Sequence, residues 1–153
     1  MLGAIAGDII GSVYEKDPVK QVNIPLFQED SRFTDDTVLT VAVADALLSN
    51  KAFEGKVKSY ARRYPAAGYG GTFIRWMTGM INGPYNSWGN GSAMRVSPVG
   101  FAYEQLVDVM KVAEASASIT HNHPEGIKGA QAVAACIYLA RTGIGKPLIK
   151  DHV

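Results

Sequence analysis

Hydrophobic positions along this chain recur at helical rather than strand spacing. Residues 2–15 form a first, largely apolar helix in which Gly3, Gly7 and Gly11 return every four residues. That spacing clears one stripe for the close approach of another backbone. Asp8, Ser12 and Glu15 stand at i, i+4 and i+7 and share a second face. A Pro-containing loop over 16–32 follows. The second helix starts at Thr34 and runs to Leu48; from Val38 onward it is apolar on nearly every side, which places it in the middle of a core. Residues 54–64 form a more amphipathic helix stopped by Pro65, and 71–80 a short one. The stretch 81–92 is a loop full of turn formers, with a helix expected to start behind it. Helices then cover 104–119 and 124–141, the latter opened by Pro124 and closed by Gly143 and Gly145. The class this predicts is all-α, in a single domain over residues 1–153.

Composition narrows the possibilities. The chain has 153 residues, 47% hydrophobic and 19% charged, with a net charge of +1. At this length folding buries roughly 68–70% of the unfolded surface. The longest basic run is Arg62-Arg63, so the footprint of a nucleic-acid or membrane-surface binder is missing. The lone Cys136 forms no disulfide within the chain, which favours a reducing compartment, and its apolar neighbours predict a small buried hydrophobe rather than a nucleophile. The apolar start carries no Lys or Arg ahead of it and is broken by Asp8 and glycines, unlike a secretory signal. No window reaches the roughly 20 apolar residues of a bilayer span. These features predict a cytoplasmic protein.

The candidate chemistry begins at Thr34-Asp35-Asp36-Thr37. One reading makes Thr34 a helix cap, with two aspartates at the positive end of the dipole. The other notes that adjacent aspartates repel and that one acid satisfies the dipole. At the start of a buried helix they call for a cation, and two carboxylates with a hydroxyl are hard ligands suited to Mg²⁺ or Mn²⁺. Residue types alone leave both readings open. Glu15, at the end of the first helix, is unfavourably placed against the dipole there. The Gly89-Asn90-Gly91-Ser92 loop is either an ordinary turn or a cradle whose N–H groups meet a phosphate. Trp88 beside it either stacks on a base or ribose or plugs a core edge. His121 and His123 lack the partners for a zinc site and read as polar residues at a helix break. Arg95, in an apolar stretch, needs an acidic or carbonyl partner. Neither a Gly-x-Ser-x-Gly elbow nor a Walker sequence is present.

Taken in order, four segments resemble one family. The run from Gly3 to Glu15 resembles the opening helix of the ADP-ribosylglycohydrolases, the dinitrogenase reductase-activating glycohydrolase-like family. Phe33-Thr34-Asp35-Asp36-Thr37 is similar to its metal-binding signature. Gly89-Asn90-Gly91-Ser92-Ala93-Met94-Arg95-Val96 is similar to its glycine-asparagine loop, and Ile119-Thr120-His121 to its threonine-histidine element. The resemblance implies a compact helical bundle around two Mg²⁺ or Mn²⁺ ions and hydrolysis of an ADP-ribosyl glycosidic linkage, on a modified protein or a small ADP-ribose derivative. It implies that Thr34, Asp35 and Asp36 are metal ligands, with Glu15 at the metal site assisting catalysis beside Asp36. It also implies that Ser87, Trp88, Gly89, Asn90 and Gly91 hold the ribose and phosphates, and that His121 contacts the ligand.

The sequence departs from that pattern in two places. The family's second acidic motif, late in the chain, has no counterpart before Val153. The expectation is therefore a C-terminally truncated chain with at most half of the binuclear site. Asn86-Ser87-Trp88 stands where some members carry an acid. The alternative function is an inert ADP-ribose-binding or structural protein, or an inactive fragment. Truncation also predicts exposed apolar faces on 37–48 and 125–141, and a homodimer through them.

Overall fold

The computed structural model describes residues 1–152. Among these it is all-helical: α1 (Leu2–Gly11), α2 (Asp35–Leu48), α3 (Phe53–Arg63), α4 (Gly71–Met77), a 3-10 turn (Asn90–Ser92), α5 (Val99–Ala102), α6 (Leu106–Ala117), α7 (Pro124–Arg141) and α8 (Lys146–His152).

The apolar second helix lies where its pattern puts it. Val38, Leu39, Thr40, Ala42, Val43, Ala44 and Ala46 of α2 are buried. Of these, Val38, Leu39, Ala42 and Val43 share one core with Val57 and Ala61 of α3, with Trp76 of α4, and with Val109, Ala113, Ala130 and Ala134 of α6 and α7. Full burial of each such Val or Leu stabilises the fold by about 1.5–3 kcal/mol. Polar ties fix the helix pairs. Lys56 and Tyr60 of α3 both donate to Asp45 of α2, at 2.6 and 3.1 Å. Arg62 of α3 donates to the Met77 carbonyl at the end of α4. Arg141 of α7 donates to the Gly100 and Tyr103 carbonyls. Gly100 lets α5 and α7 touch, since a Cβ there would come within 2.8 Å of the Ala134 carbonyl.

Several expectations need correction. The first helix stops at Gly11 rather than residue 15. The Ser12 hydroxyl turns back to the Ile9 carbonyl, and the Tyr14 N–H closes a turn onto Gly11. The stripe of Gly3, Gly7 and Gly11 has nothing packed on it. Open apolar surface lies on α1, which buries no residue and leaves Leu2 84% exposed, and on α2 only at its end, where Leu48 is 90% exposed; on α7 Val133 is 37% exposed. The segment behind the glycine loop is one 3-10 turn followed by the four-residue α5. Helix α8 follows Gly145, where no helix was expected. Cys136 is half-buried on α7. No helix among the described residues is long and apolar enough to cross a membrane.

Candidate functional site

Asp8 organises the start of α2 across 26 residues of sequence. Its carboxylate accepts from the Thr34 N–H (2.8 Å), the Thr34 hydroxyl (2.5 Å), the Thr37 N–H (3.1 Å) and the Thr37 hydroxyl. A charge thereby satisfies the Thr37 N–H in the first turn of α2, as the dipole prefers, while the Asp35 N–H donates to the Ala67 carbonyl at 2.8 Å. Thr34 is also the cap: its hydroxyl oxygen accepts from the Asp36 N–H at 3.3 Å. Its proton is committed to Asp8, so its remaining lone pair is free to face a cation.

The two aspartates behind the cap are electrostatically crowded. Burial, then the neighbouring Asp36, and more weakly Glu15 and Asp8, push the Asp35 carboxyl up to about 6. Burial, Asp8 and Glu15 raise Asp36 in the same direction. Four carboxylates thus share one end of α2, and none of them is in an ion pair among the described residues. Glu15 reaches this group from the exposed turn after α1. Among the described residues, no three His, Cys, Asp or Glu side chains gather closely enough to enclose a metal ion.

Next to this acidic end opens a cleft of about 250 Å³. Asp35, Ser87, Gly89, Asn90, Gly91 and His121 line it together with Gly70, Gly71, Tyr85 and Arg95. The loop over 81–92 is held there by the turn between α6 and α7. The Tyr85 and Ser87 N–H groups reach the Thr120 carbonyl, at 3.3 and 3.4 Å. Asn86 takes a left-handed backbone (φ 52°), and its N–H donates to Asn122 Oδ1 at 2.7 Å. Two glycines make the contact possible. A Cβ at Gly91 would lie 2.9 Å from His121 Cε1, and one at Gly126 would lie 2.6 Å from the Ser87 carbonyl. Burial and the Arg95 charge hold the His121 imidazole down at about 4, so the ring is neutral at neutral pH.

Most of the residues singled out from sequence therefore fall in two adjoining regions. Thr34, Asp35 and Asp36 stand at the start of α2 with Glu15 within electrostatic reach, while Ser87, Gly89, Asn90, Gly91 and His121 line the cleft. Only Asp35 belongs to both. Trp88 is 76% exposed and does not line the cleft; its ring faces His123 at 6.1 Å. His123 caps α7 by accepting from the Glu125 N–H at 3.1 Å, as a residue at a helix break would. Sequence reasoning missed Asp8 as the organiser of α2, along with Gly70, Gly71 and Tyr85 in the cleft. Its one trace was an aspartate interrupting an apolar helix.

The ADP-ribosylglycohydrolase family model matches residues 1–151. The chain belongs to the ADP-ribosylglycohydrolase family. It is similar to the ADP-ribosylhydrolase ARH3 of Mus musculus, 31% identical over 94% of this chain and 48% of the relative. The Homo sapiens ARH3 is 29% identical over 94% of this chain and 49% of its own length. That of Danio rerio is 27% identical over the whole chain and 49% of its own length. The chain spans about half the length of these curated relatives.

Proposed function

We propose that this chain carries the ADP-ribose cleft and part of the metal site of a Mg²⁺- or Mn²⁺-dependent hydrolase. It would release ADP-ribose from a glycosidic linkage on a modified protein or a small ADP-ribose derivative. The observation that carries this reading is the double membership of Asp35, which lines the glycine-loop cleft and belongs to the crowded carboxylates at the start of α2. The relatives' name, ADP-ribosylhydrolase, supports the substrate class.

The donors fit a hard divalent cation. They are carboxylates and an oriented hydroxyl, with mutual repulsion that a cation would relieve. Thr34, Asp35, Asp36 and Glu15 would hold it, and when bound it supplies Lewis-acid orientation of ribose hydroxyls and a more acidic water. The chain's own groups supply the rest. The loop from Ser87 to Gly91 and the His121 ring would grip the phosphates and ribose. Breaking the bond at ribose C1″ builds positive charge on the sugar. The carboxylates of Asp35, Asp36 and Glu15 would stabilise that charge from one side. Glu15, on the exposed turn, would accept the proton of the attacking water.

Release of free ADP-ribose from an ADP-ribosylated peptide tests this reading. Release should require Mg²⁺ or Mn²⁺, stop on chelation, and fall about 100-fold or more in Glu15→Gln, the usual contribution of a general base. Release that ignores both the metal and Asp35→Ala would sink it. A second reading is an inert ADP-ribose-binding protein, favoured by the lack of three gathered metal-ligating side chains among the described residues. ADP-ribose binding without any turnover would select it.

A further inference from the structure

Arg95 is a buried charge for which the cleft has so far given no task. It is fully buried in the cleft wall, and no Asp or Glu among the described residues pairs with it. Its Nη2 donates to the Ser116 carbonyl and to the Thr120 hydroxyl oxygen, both at 2.9 Å. The carbonyl partner is of the kind its sequence surroundings called for. Nε and Nη1 find no protein acceptor. Thr120 Oγ1 lies 2.7 Å from His121 Nδ1, and both residues are buried.

We propose that Arg95 and Thr120 form a hydrogen-bond relay that fixes His121 as its Nε2–H tautomer. The ring then offers a donor, and no acceptor, to an oxygen of the ligand in the cleft. Arg95 and Thr120 are positioning residues that act through His121. The identity of the ligand rests on the ADP-ribose reading above; the tautomer does not.

The bonding and charges around the ring support the relay. Arg95 supplies a hydrogen to Thr120 Oγ1, so the threonine's own hydrogen must point elsewhere, and Nδ1 at 2.7 Å is within the ideal range for an O–H donor. A hydroxyl that donates to Nδ1 requires that nitrogen to be unprotonated, which leaves the ring hydrogen on Nε2. The unneutralised guanidinium also stands on the Nδ1 side and favours the ring hydrogen on the far nitrogen. At the opposite edge of the ring, Gly91 has no side chain to block Nε2, which would sit 3.0 Å from a Cβ there. Nε2 is not among the sealed, unpartnered atoms, although it has no protein partner.

Nitrogen-15 NMR of the histidine side chains tests the relay, with His121 assigned by loss of its signal in His121→Gln. The wild-type chain should show Nδ1 bare and Nε2 protonated. Thr120→Ser should keep that state, and Thr120→Val or Arg95→Met should give a mixture. A wild-type ring protonated on Nδ1, or a tautomer unmoved by Thr120→Val in a folded chain, overturns the proposal. A binding arm needs neither variant to fold. His121→Phe should bind ADP-ribose about tenfold more weakly, the worth of one hydrogen bond, and His121→Gln should recover most of that loss through its own N–H. Equal binding by wild type and His121→Phe removes the donor role. Repeating the series with ADP shows whether the acceptor oxygen belongs to the diphosphate or to the terminal ribose. Wild-type protein that binds no ADP-ribose overturns the functional reading, while the tautomer is still read directly from the spectrum.

Discussion

Asp8 accepts both the N–H and the hydroxyl of Thr34, at 2.8 and 2.5 Å, and so fastens α1 to the first turn of α2. The same contact turns the Thr34 hydroxyl hydrogen away from the aspartates that follow it. Removing the acid in Asp8→Ala leaves buried donors of Thr34 and exposes the start of α2 to fraying. The expected loss is about 1–3 kcal/mol in urea unfolding. Thr34→Ala, which removes the cap and the hydroxyl donor to Asp8 but keeps the Thr34 and Thr37 N–H bonds to it, should cost about 1–2 kcal/mol. An Asp8→Ala protein with an unchanged unfolding midpoint would contradict this view of the joint.

Much of this was legible in the sequence, for local reasons. Thr34 before an apolar run marks the start of α2, and Pro124 with Arg141 brackets α7, because caps and dipole partners sit within a turn of the ends they serve. The loop-and-histidine cleft could be drawn only as two separate segments, since the Ser87 N–H reaches the Thr120 carbonyl through tertiary packing. Asp8 was visible as an acid but not as the partner of Thr34, which is 26 residues away. The Arg95 to Thr120 bond spans a similar distance. The glycines of α1 suggested a packing stripe because spacing says which residues share a face but not whether anything covers it. Helix α5 is too short to leave a periodic pattern, and Gly143 and Gly145 concealed α8.

The charge state of the acidic end gives a pH dependence. The Asp35 carboxyl ionises at about 6 in the folded chain against 3.8 for the free group, so the native state holds the proton more tightly. The penalty for ionising it in place is fully present above pH 6 and is relieved as the pH falls through the window toward 3.8. Asp36 is shifted in the same direction. In the presence of a chelator this gain opposes the loss from His121, which is held down at about 4 and destabilises the native state as the pH falls below 6.5. Unfolding free energy followed from pH 7 to 4.5 should therefore fall more steeply in Asp35→Asn than in the wild type. An identical slope in the two proteins would exclude Asp35 as a source of the pH dependence.

The glycine loop should tolerate no side chain where it meets His121. In Gly91→Ala the added Cβ would meet the ring at 2.9 Å, and that ring is held by Thr120. The cost should be about 1–3 kcal/mol of stability, as for other overpacked sites, with weaker ADP-ribose binding. Gly55→Ala, exposed in the first turn of α3 with nothing near its Cβ, should instead stabilise by about 0.4–1 kcal/mol, by narrowing the unfolded ensemble. Thermal melts of the two variants should move in opposite directions, and a shift of the same sign would refute the contrast.

If Asp35 joins a metal site to an ADP-ribose cleft, the two ligands share one residue and are coupled. Calorimetric titration of ADP-ribose into the chain, with Mg²⁺ and with chelator, measures that coupling. ADP-ribose should bind more tightly with Mg²⁺ in the wild type, with no metal effect in Asp35→Asn. Binding that is the same with and without Mg²⁺ in the wild type, or a metal effect that survives in Asp35→Asn, would contradict it.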